Sequence, residues 1–465
     1  MTASAGSPRP TPHLRVIDAV AIIVGVVIGV GIFRAPGLVA AGVETEAGFI
    51  GLWVLGGALS LVGALCYAEL VTTFPSAGGE YHFLRRAFGR NVSFLFAWAR
   101  LTVIGTGSLA LLAFVFGDHV TKLVPLGPYG SALAGAVLVI VLVALNVLGL
   151  RVGAAVQRLV TGVLVAGLVA IVVAGLVLAP QAAPVQVSSP TSSLGFAMVF
   201  VLLTYGGWNE AAYLSAEIRG GARRIVWALV AGVGAITAIY VMTNFAYVRA
   251  LGLPGLREAE TVGVDLVQTF AGAGAAALVS ALIAIAAVTS MNATILTVSR
   301  TAYALAGDIR LFRPLSRWDA GAAAPIPAML ALGAFALVLI GLGAIARSGF
   351  ATMVEFTAPV FWAFFFLTGV SLFVLRAKEP HVVRPFRVPL YPIVPLVFCA
   401  TCLWLLHASL EYARLGAMAG VGVLLVGAVP LWIERGLRRS RPKETADESQ
   451  HDDLDRDHDR ARVGV

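Results

Sequence analysis

The chain has 465 residues, of which 59% are hydrophobic and 12% charged, with a formal net charge of +8 and a mean hydropathy of +0.89. Soluble domains are about 45–50% apolar and about 25% charged, so this composition excludes both a soluble globular enzyme and a disordered chain. The apolar residues fall in long runs that read as membrane spans of about 20 residues each.

Taken in chain order, the runs predict twelve helices, at about 16–42, 49–74, 92–116, 129–149, 154–179, 194–217, 224–250, 270–304, 326–346, 351–376, 391–410 and 414–434. The expected class is therefore an all-α polytopic membrane protein embedded in a lipid bilayer. The first, seventh and eighth runs exceed what a bilayer needs, which suggests tilt, breaks or extensions. No cleavable signal peptide is evident, because the first run is too long and lacks a cleavage site. The tail at 435–465 starts basic and turns acidic, with almost no large apolar residue, and is expected to be disordered.

The N-terminal segment, 1–15, carries Arg9 and Arg15. Alternate connections then hold Arg85, Arg86 and Arg90; Arg151 and Arg158; Arg219, Arg223 and Arg224; Arg300, Arg310, Arg313 and Arg317; and Arg376, Lys378, Arg384 and Arg387. The other connections hold only Lys122, Arg249, Arg257, Arg347 and Arg414. Lys and Arg accumulate on the cytoplasmic side of membrane proteins, so both termini are expected there. Net charge thus reports orientation, and no nucleic-acid partner is expected. The Ala- and Arg-rich usage suits a bacterial inner (plasma) membrane.

Two spans carry an interrupted pattern. The first reads Gly25-Val-Val-Ile28-Gly29-Val30-Gly31-Ile-Phe33-Arg-Ala-Pro36, and the sixth reads Thr204-Tyr205-Gly206-Gly207-Trp208-Asn209-Glu210. Gly pairs and Pro weaken a helix at those points. Broken backbone at membrane depth is tolerated only where it lines a protein cavity. Matching breaks in two halves point to a transporter site built on inverted repeats. Close packing at Gly29 and Gly31 is the competing reading. The halves are 16–179 and 194–376, with the last two spans, 391–434, outside the repeat.

Gly29-Val-Gly31-Ile-Phe33 resembles the Gly-Ser-Gly-Ile-Phe motif of the amino acid–polyamine–organocation transporter superfamily. Cys66-Tyr67-Ala68-Glu69-Leu70, then Pro75-Ser-Ala-Gly78-Gly79-Glu80-Tyr81, is similar to the second-helix signature of its L-type amino acid transporter branch. Asn146-Val-Leu-Gly149-Leu-Arg151-Val-Gly153 with Gln157, Tyr205-Gly-Gly-Trp208-Asn209, Ser299-Arg300 with Tyr303, and Arg384-Pro-Phe-Arg-Val-Pro389-Leu-Tyr-Pro392 continue the match in the family's order. The resemblance implies a sodium-symporter-like (LeuT-like) fold of five helices plus five inverted helices, then two more. It implies a secondary transporter of small amino acids, with the substrate held midway through the membrane. Ile28, Gly29, Val30 and Gly31 are then expected at the substrate carboxylate. Thr204, Tyr205, Gly206 and Gly207 are expected at its ammonium and side chain, with Trp208 and Asn209 gating or bracing them. No charged side chain is required for a zwitterion, because N–H groups at a helix start suit an anion and free carbonyls suit a cation. A neutral amino acid is favoured, with Val30, Thr204, Tyr205, Gly105 and Gly107 as lining; a basic amino acid or polyamine is the alternative.

The chain departs from the family twice. Val30 replaces the motif's Ser, and Leu164 stands where many relatives have a Lys. Helix eight offers Ala286, Thr289 and Ser290, which with carbonyls of Gly25 and Ile28 resemble a conserved sodium site. A sodium ion there is one expectation; proton coupling or uncoupled exchange is the other, with the hydroxyls bonded back to their own helix. No other cofactor is expected. The connection after helix three has no Cys, so a disulfide-linked heavy chain is not expected either.

Glu69 is read as part of a structural ion pair, Glu210 as a proton carrier, an ammonium partner or a brace, and Glu355 as a rim residue. Arg34 and Arg100 are expected to pair with carboxylates, and His407 to be a satisfied core histidine. Cys399-Ala-Thr-Cys402 reads as packing. An embedded enzyme would need a convergent nucleophile or metal cluster or a phosphate loop, and the sequence has none of these.

Overall fold

A computed structural model describes residues 20–439, apart from 21–22, 26, 77–78, 150–153, 181, 183–188, 211–220, 309, 320–323, 346–348 and 413. The segment 1–15, the start of the first span, the far end of the sixth, Arg151, Gly153 and the tail from 440 lie outside the described residues. So do the side chains of Gln157 and Glu210.

In chain order the helices are α1 (Gly31–Ala40), α2 (Glu46–Thr73), α3 (Gly79–Phe88), α4 (Arg90–Ala99), a π turn (Arg100–Ile104), α5 (Gly105–Leu123), α6 (Gly130–Val147), α7 (Ala154–Leu178) and α8 (Leu194–Thr204). They continue through a 3-10 turn (Trp208–Glu210), α9 (Ala222–Glu258), α10 (Val262–Asp308), a second 3-10 segment (Arg310–Ser316), α11 (Ile326–Ile345), α12 (Gly349–Lys378), α13 (Ile393–Tyr412), α14 (Arg414–Val426) and α15 (Ala428–Arg439).

Ten of the described helices are long and apolar enough to cross a membrane, and α1 and α8 are apolar but shorter. Those two belong to the first and sixth runs, parts of which lie outside the described residues. Helix α1, after the first break, has 10 residues, and α8, ahead of the second, has 11. At about 1.5 Å per residue, each reaches roughly half of a 30 Å hydrocarbon core. The seventh and eighth runs are longer than expected for another reason. Helix α9 runs past Gly252 (φ 63) to Glu258, and α10 starts ahead of Gly272 (φ 75). Glycine tolerates this positive-φ, non-helical backbone, so at each corner two helical stretches meet across a kink.

Local signals fix several helix starts. Thr45 caps α2 by accepting from Gly48 N at 3.0 Å, and Ser193 caps α8 by accepting from Phe196 N at 3.2 Å. Helix α3, between the second and third spans, is a short helix the apolar runs do not reveal.

Ion pairs tie the bundle at both ends. On the Arg-rich side, Glu69 of α2 has a 3% exposed side chain. It accepts from Arg376 Nε at 2.7 Å and Nη2 at 2.5 Å, accepts from Val388 N at 2.6 Å, and lies 3.5 Å from Arg384 Nε. This is the structural ion pair read from the sequence. Arg384 also donates to the carbonyls of Leu375 and Glu379, closing the end of α12. Arg86 of α3 grips Glu379 with two hydrogen bonds of 2.7 Å, and Lys378 donates to Ala87 O at 2.8 Å. On the opposite side Arg34 of α1 pairs with Asp118 of α5 and stacks over Phe350 of α12, 5.3 Å from its centroid. Arg257 caps the end of α1 by donating to Ala40 O at 3.1 Å and Val43 O at 2.7 Å.

Two readings are settled differently. His407 is not in the core: its side chain is 75% exposed, beside Glu411 one turn on. Cys402, Leu405 and Ser409 form the buried face of α13, and His407 falls on the other. The three cysteines are buried and free, as packing residues would be.

Replacing Glu69 with Ala leaves two guanidinium groups without their anion. The expected cost is about 3–5 kcal/mol, as for other broken buried pairs. The measurement is the melting temperature of the detergent-solubilised protein, and an unchanged value refutes it. Hydrogen bonds and charge from Arg86 hold Glu379 below the usual carboxylate range. That clasp therefore contributes at neutral pH and is lost as pH falls through the depressed value. Protection of the α3 amides, measured relative to the intrinsic exchange rate at each pH, should fall in acid, and in Glu379→Gln it should already be low at neutral pH.

Candidate functional site

The first break begins after a regular bond from Ile28 N to Val24 O at 2.8 Å. Residues 28–30 leave the helix, and α1 starts anew at Gly31 with Val30 as its N-cap. The second break follows Thr204. Tyr205 N still bonds Val201 O at 3.0 Å, Gly206 N falls back to Leu203 O at 3.0 Å, and Gly207 takes φ 113. The positive φ requires glycine there.

The breaks meet. A Cβ added to Gly31 would lie 3.3 Å from both Cγ2 and Oγ1 of Thr204 and 3.6 Å from its Cα, so the two segments are in close contact. Beside Gly29 the same test finds nothing nearer than Val27 O at 3.9 Å, which leaves room. The Thr204 hydroxyl donates to Phe200 O at 2.7 Å within its own helix. Helices α1 and α8 thus pack directly on each other.

A third element joins them. Tyr240 of α9 is fully buried, and its hydroxyl lies 2.9 Å from Val27 O and 3.3 Å from Thr204 O. These carbonyls stand at the edges of the two breaks. The Tyr205 side chain is engaged nearby: it donates to Trp53 O at 2.9 Å and its ring packs edge-on to Tyr240 at 5.1 Å. Trp208 is 4% exposed and lies edge-on to Tyr67 at 5.0 Å and to Phe365 at 5.9 Å. A cavity beside the second break is lined by Ser60, Gly206, Trp208, Trp362, Phe365 and Cys402, among others. Gly206 and Trp208 are break residues named from the sequence, whereas Tyr240, Ser60, Trp362 and Phe365 come from α9, α2 and α12. These four carry no local signal, and sequence reading missed them.

Gly105 and Gly107 sit against neighbouring helices. An added Cβ would strike Val298 at 2.6 Å from Gly105 and Thr357 at 2.0 Å from Gly107. Both serve close helix packing, the role of small residues in membranes. Leu164 is buried. The Thr289 hydroxyl donates to Ala286 O at 2.9 Å, Ser290 O accepts from Thr294 at 2.9 Å, and an added Cβ on Gly25 would meet Thr161 at 2.3 Å. Among the described residues no group of three or more His, Cys, Asp or Glu could hold a metal ion. Arg34 and Arg100 do pair with carboxylates, Asp118 and Glu80.

Removing the Tyr240 hydroxyl leaves buried carbonyls without their donor, which costs about 1–3 kcal/mol. Tyr240→Phe should lower the melting temperature while the well-packed ring stays in place. No change would mean the hydroxyl does not hold the breaks.

The model of the amino acid permease family matches residues 14–423. The b(0,+)-type amino acid transporter 1 of Mus musculus is 28% identical over 409 residues, spanning 86% of this chain and 82% of the relative. The large neutral amino acids transporter small subunit 2 of Mus musculus is 30% identical over 453 residues, spanning 93% and 82%. The human b(0,+)-type transporter 1 is 28% identical over 411 residues. With ten long apolar helices among its described residues, the chain is a multi-pass membrane protein and an amino acid transporter, and it belongs to the amino acid permease family.

Proposed function

We propose that the chain carries neutral amino acids by alternating access, with the zwitterion held between the two breaks by backbone groups. The observation that supports this most is the contact of Gly31 with Thr204, which puts the start of one half-helix against the end of another. A helix start favours a carboxylate and a helix end favours an ammonium. In this reading Ile28, Gly29, Val30 and Gly31 hold the former. Thr204, Tyr205, Gly206 and Gly207 hold the latter, and Trp208 and Asn209 brace the second break. The name of one relative, a transporter of large neutral amino acids, points to the same substrate class. The inverted repeat of 16–179 and 194–376 belongs to this proposal, since both breaks open a repeat.

Exchange without sodium is the favoured coupling. Thr289 gives its proton to its own helix, Gly25 packs onto Thr161, and Leu164 is apolar. A sodium ion on oxygens of Gly25, Ile28, Ala286, Thr289 and Ser290 is the alternative, and a coupling proton is a second one. This reading needs no disulfide-linked partner, and the burial of the chain's three cysteines supports it there.

Proteoliposomes holding the purified protein should take up labelled neutral amino acids saturably, faster when preloaded with unlabelled amino acid, and equally in sodium and choline buffers. Sodium-dependent uptake would replace exchange with symport. Absence of saturable uptake for every amino acid would remove the reading.

A further inference from the structure

The second break must be held from its far side as well as from Tyr240. Trp208 and Asn209 form the turn that follows it, and both meet one small buried cluster. The Asn209 amide donates to Glu80 Oε1 at 3.3 Å. The Tyr67 hydroxyl donates to the same oxygen at 2.6 Å, and the Tyr67 ring is the one set edge-on to Trp208. The other carboxylate oxygen, Oε2, faces Arg100 Nη1 at 3.4 Å. Glu80 is 2% exposed, Arg100 7%, Asn209 6% and Tyr67 1%.

One carboxylate thus joins four elements: α3, α2, the π turn and the turn after the break. The position of Arg100 is unusual in itself. It opens the five-residue π turn between α4 and α5, a widened turn of a kind often found at functional sites. Glu80 stands in the first turn of α3, whose first residue, Gly79, has φ 48. An ionised pair this deep is costly unless its remaining lone pairs and protons are satisfied. Here two neutral donors share the carboxylate with the cation. One of them belongs to the segment that carries the break.

We propose that Glu80 is a positioning residue for transport: with Arg100 balancing its charge, it fixes Asn209 and so keeps the carbonyls of 205–207 aimed at the substrate ammonium. This rests on the transport reading above. Glu80 never touches the amino acid. It acts through the orientation of the second break.

The test uses the full chain in proteoliposomes. Glu80→Gln should raise the KM for amino acid uptake about tenfold, with a much smaller change in maximal rate. Asn209→Asp sets two carboxylates against each other and should do the same or worse. Combining Glu80→Gln with Asn209→Asp restores one donor and one acceptor in exchanged places and should recover most of the KM. Glu80→Asp keeps the charge and should fall between wild type and Glu80→Gln. A purely structural role would lower the melting temperature of each variant without this rescue in KM. An unchanged KM in Glu80→Gln beside normal wild-type uptake, or additive losses in the double variant, would overturn the assignment alone. Absence of wild-type uptake would overturn the transport reading with it.

Discussion

A backbone polar group cannot be left unpaired in hydrocarbon, and this constraint governs the molecule. Two helices stop inside the bundle, and each stop exposes N–H or C=O groups at a depth where water is absent. The breaks survive because other elements supply partners. Tyr240 reaches carbonyls on both, and Glu80 receives the amide of Asn209. A site made of freed backbone is therefore only as well defined as the side chains that surround it.

The two faces of the bundle are tied differently. On the Arg-rich face, Glu69 collects guanidinium groups and a backbone amide, and Arg86 adds its own grip on Glu379. These contacts join α2, α3 and the segment after α12. They do not touch either break. On the other face Arg34, on the half-helix that follows the first break, is held by Asp118 and Phe350. The first face carries a frame of charges around the buried Glu69, while on the second α1 is held by the partly exposed Arg34–Asp118 pair and by Arg257 at its end.

The membrane class, the helices and both breaks were legible in the sequence, because each rests on local composition: long apolar runs, and Gly pairs beside polar residues. Glu69 was legible too, since a carboxylate in an apolar run demands a partner. Tyr240 was not, because an aromatic residue in an apolar span reads as packing until its neighbours are known. Gly105 and Gly107 were ambiguous for the converse reason. A small residue marks a close approach, and only the fold tells whether a ligand or another helix does the approaching; here the partners are Val298 and Thr357. His407 failed on helical phase: the buried face of α13 passes through Cys402, Leu405 and Ser409 and misses it.

A hydroxyl carries one proton. Tyr240 stands within reach of two carbonyls, at 2.9 Å and 3.3 Å, on two different broken helices. At any instant one acceptor is served well and the other poorly. Rotation about a single C–O bond transfers the donor between them, with no movement of the ring or of either backbone. The two halves of the candidate site thus share one proton between them, and whichever is served less well is left as the stronger acceptor for a cation.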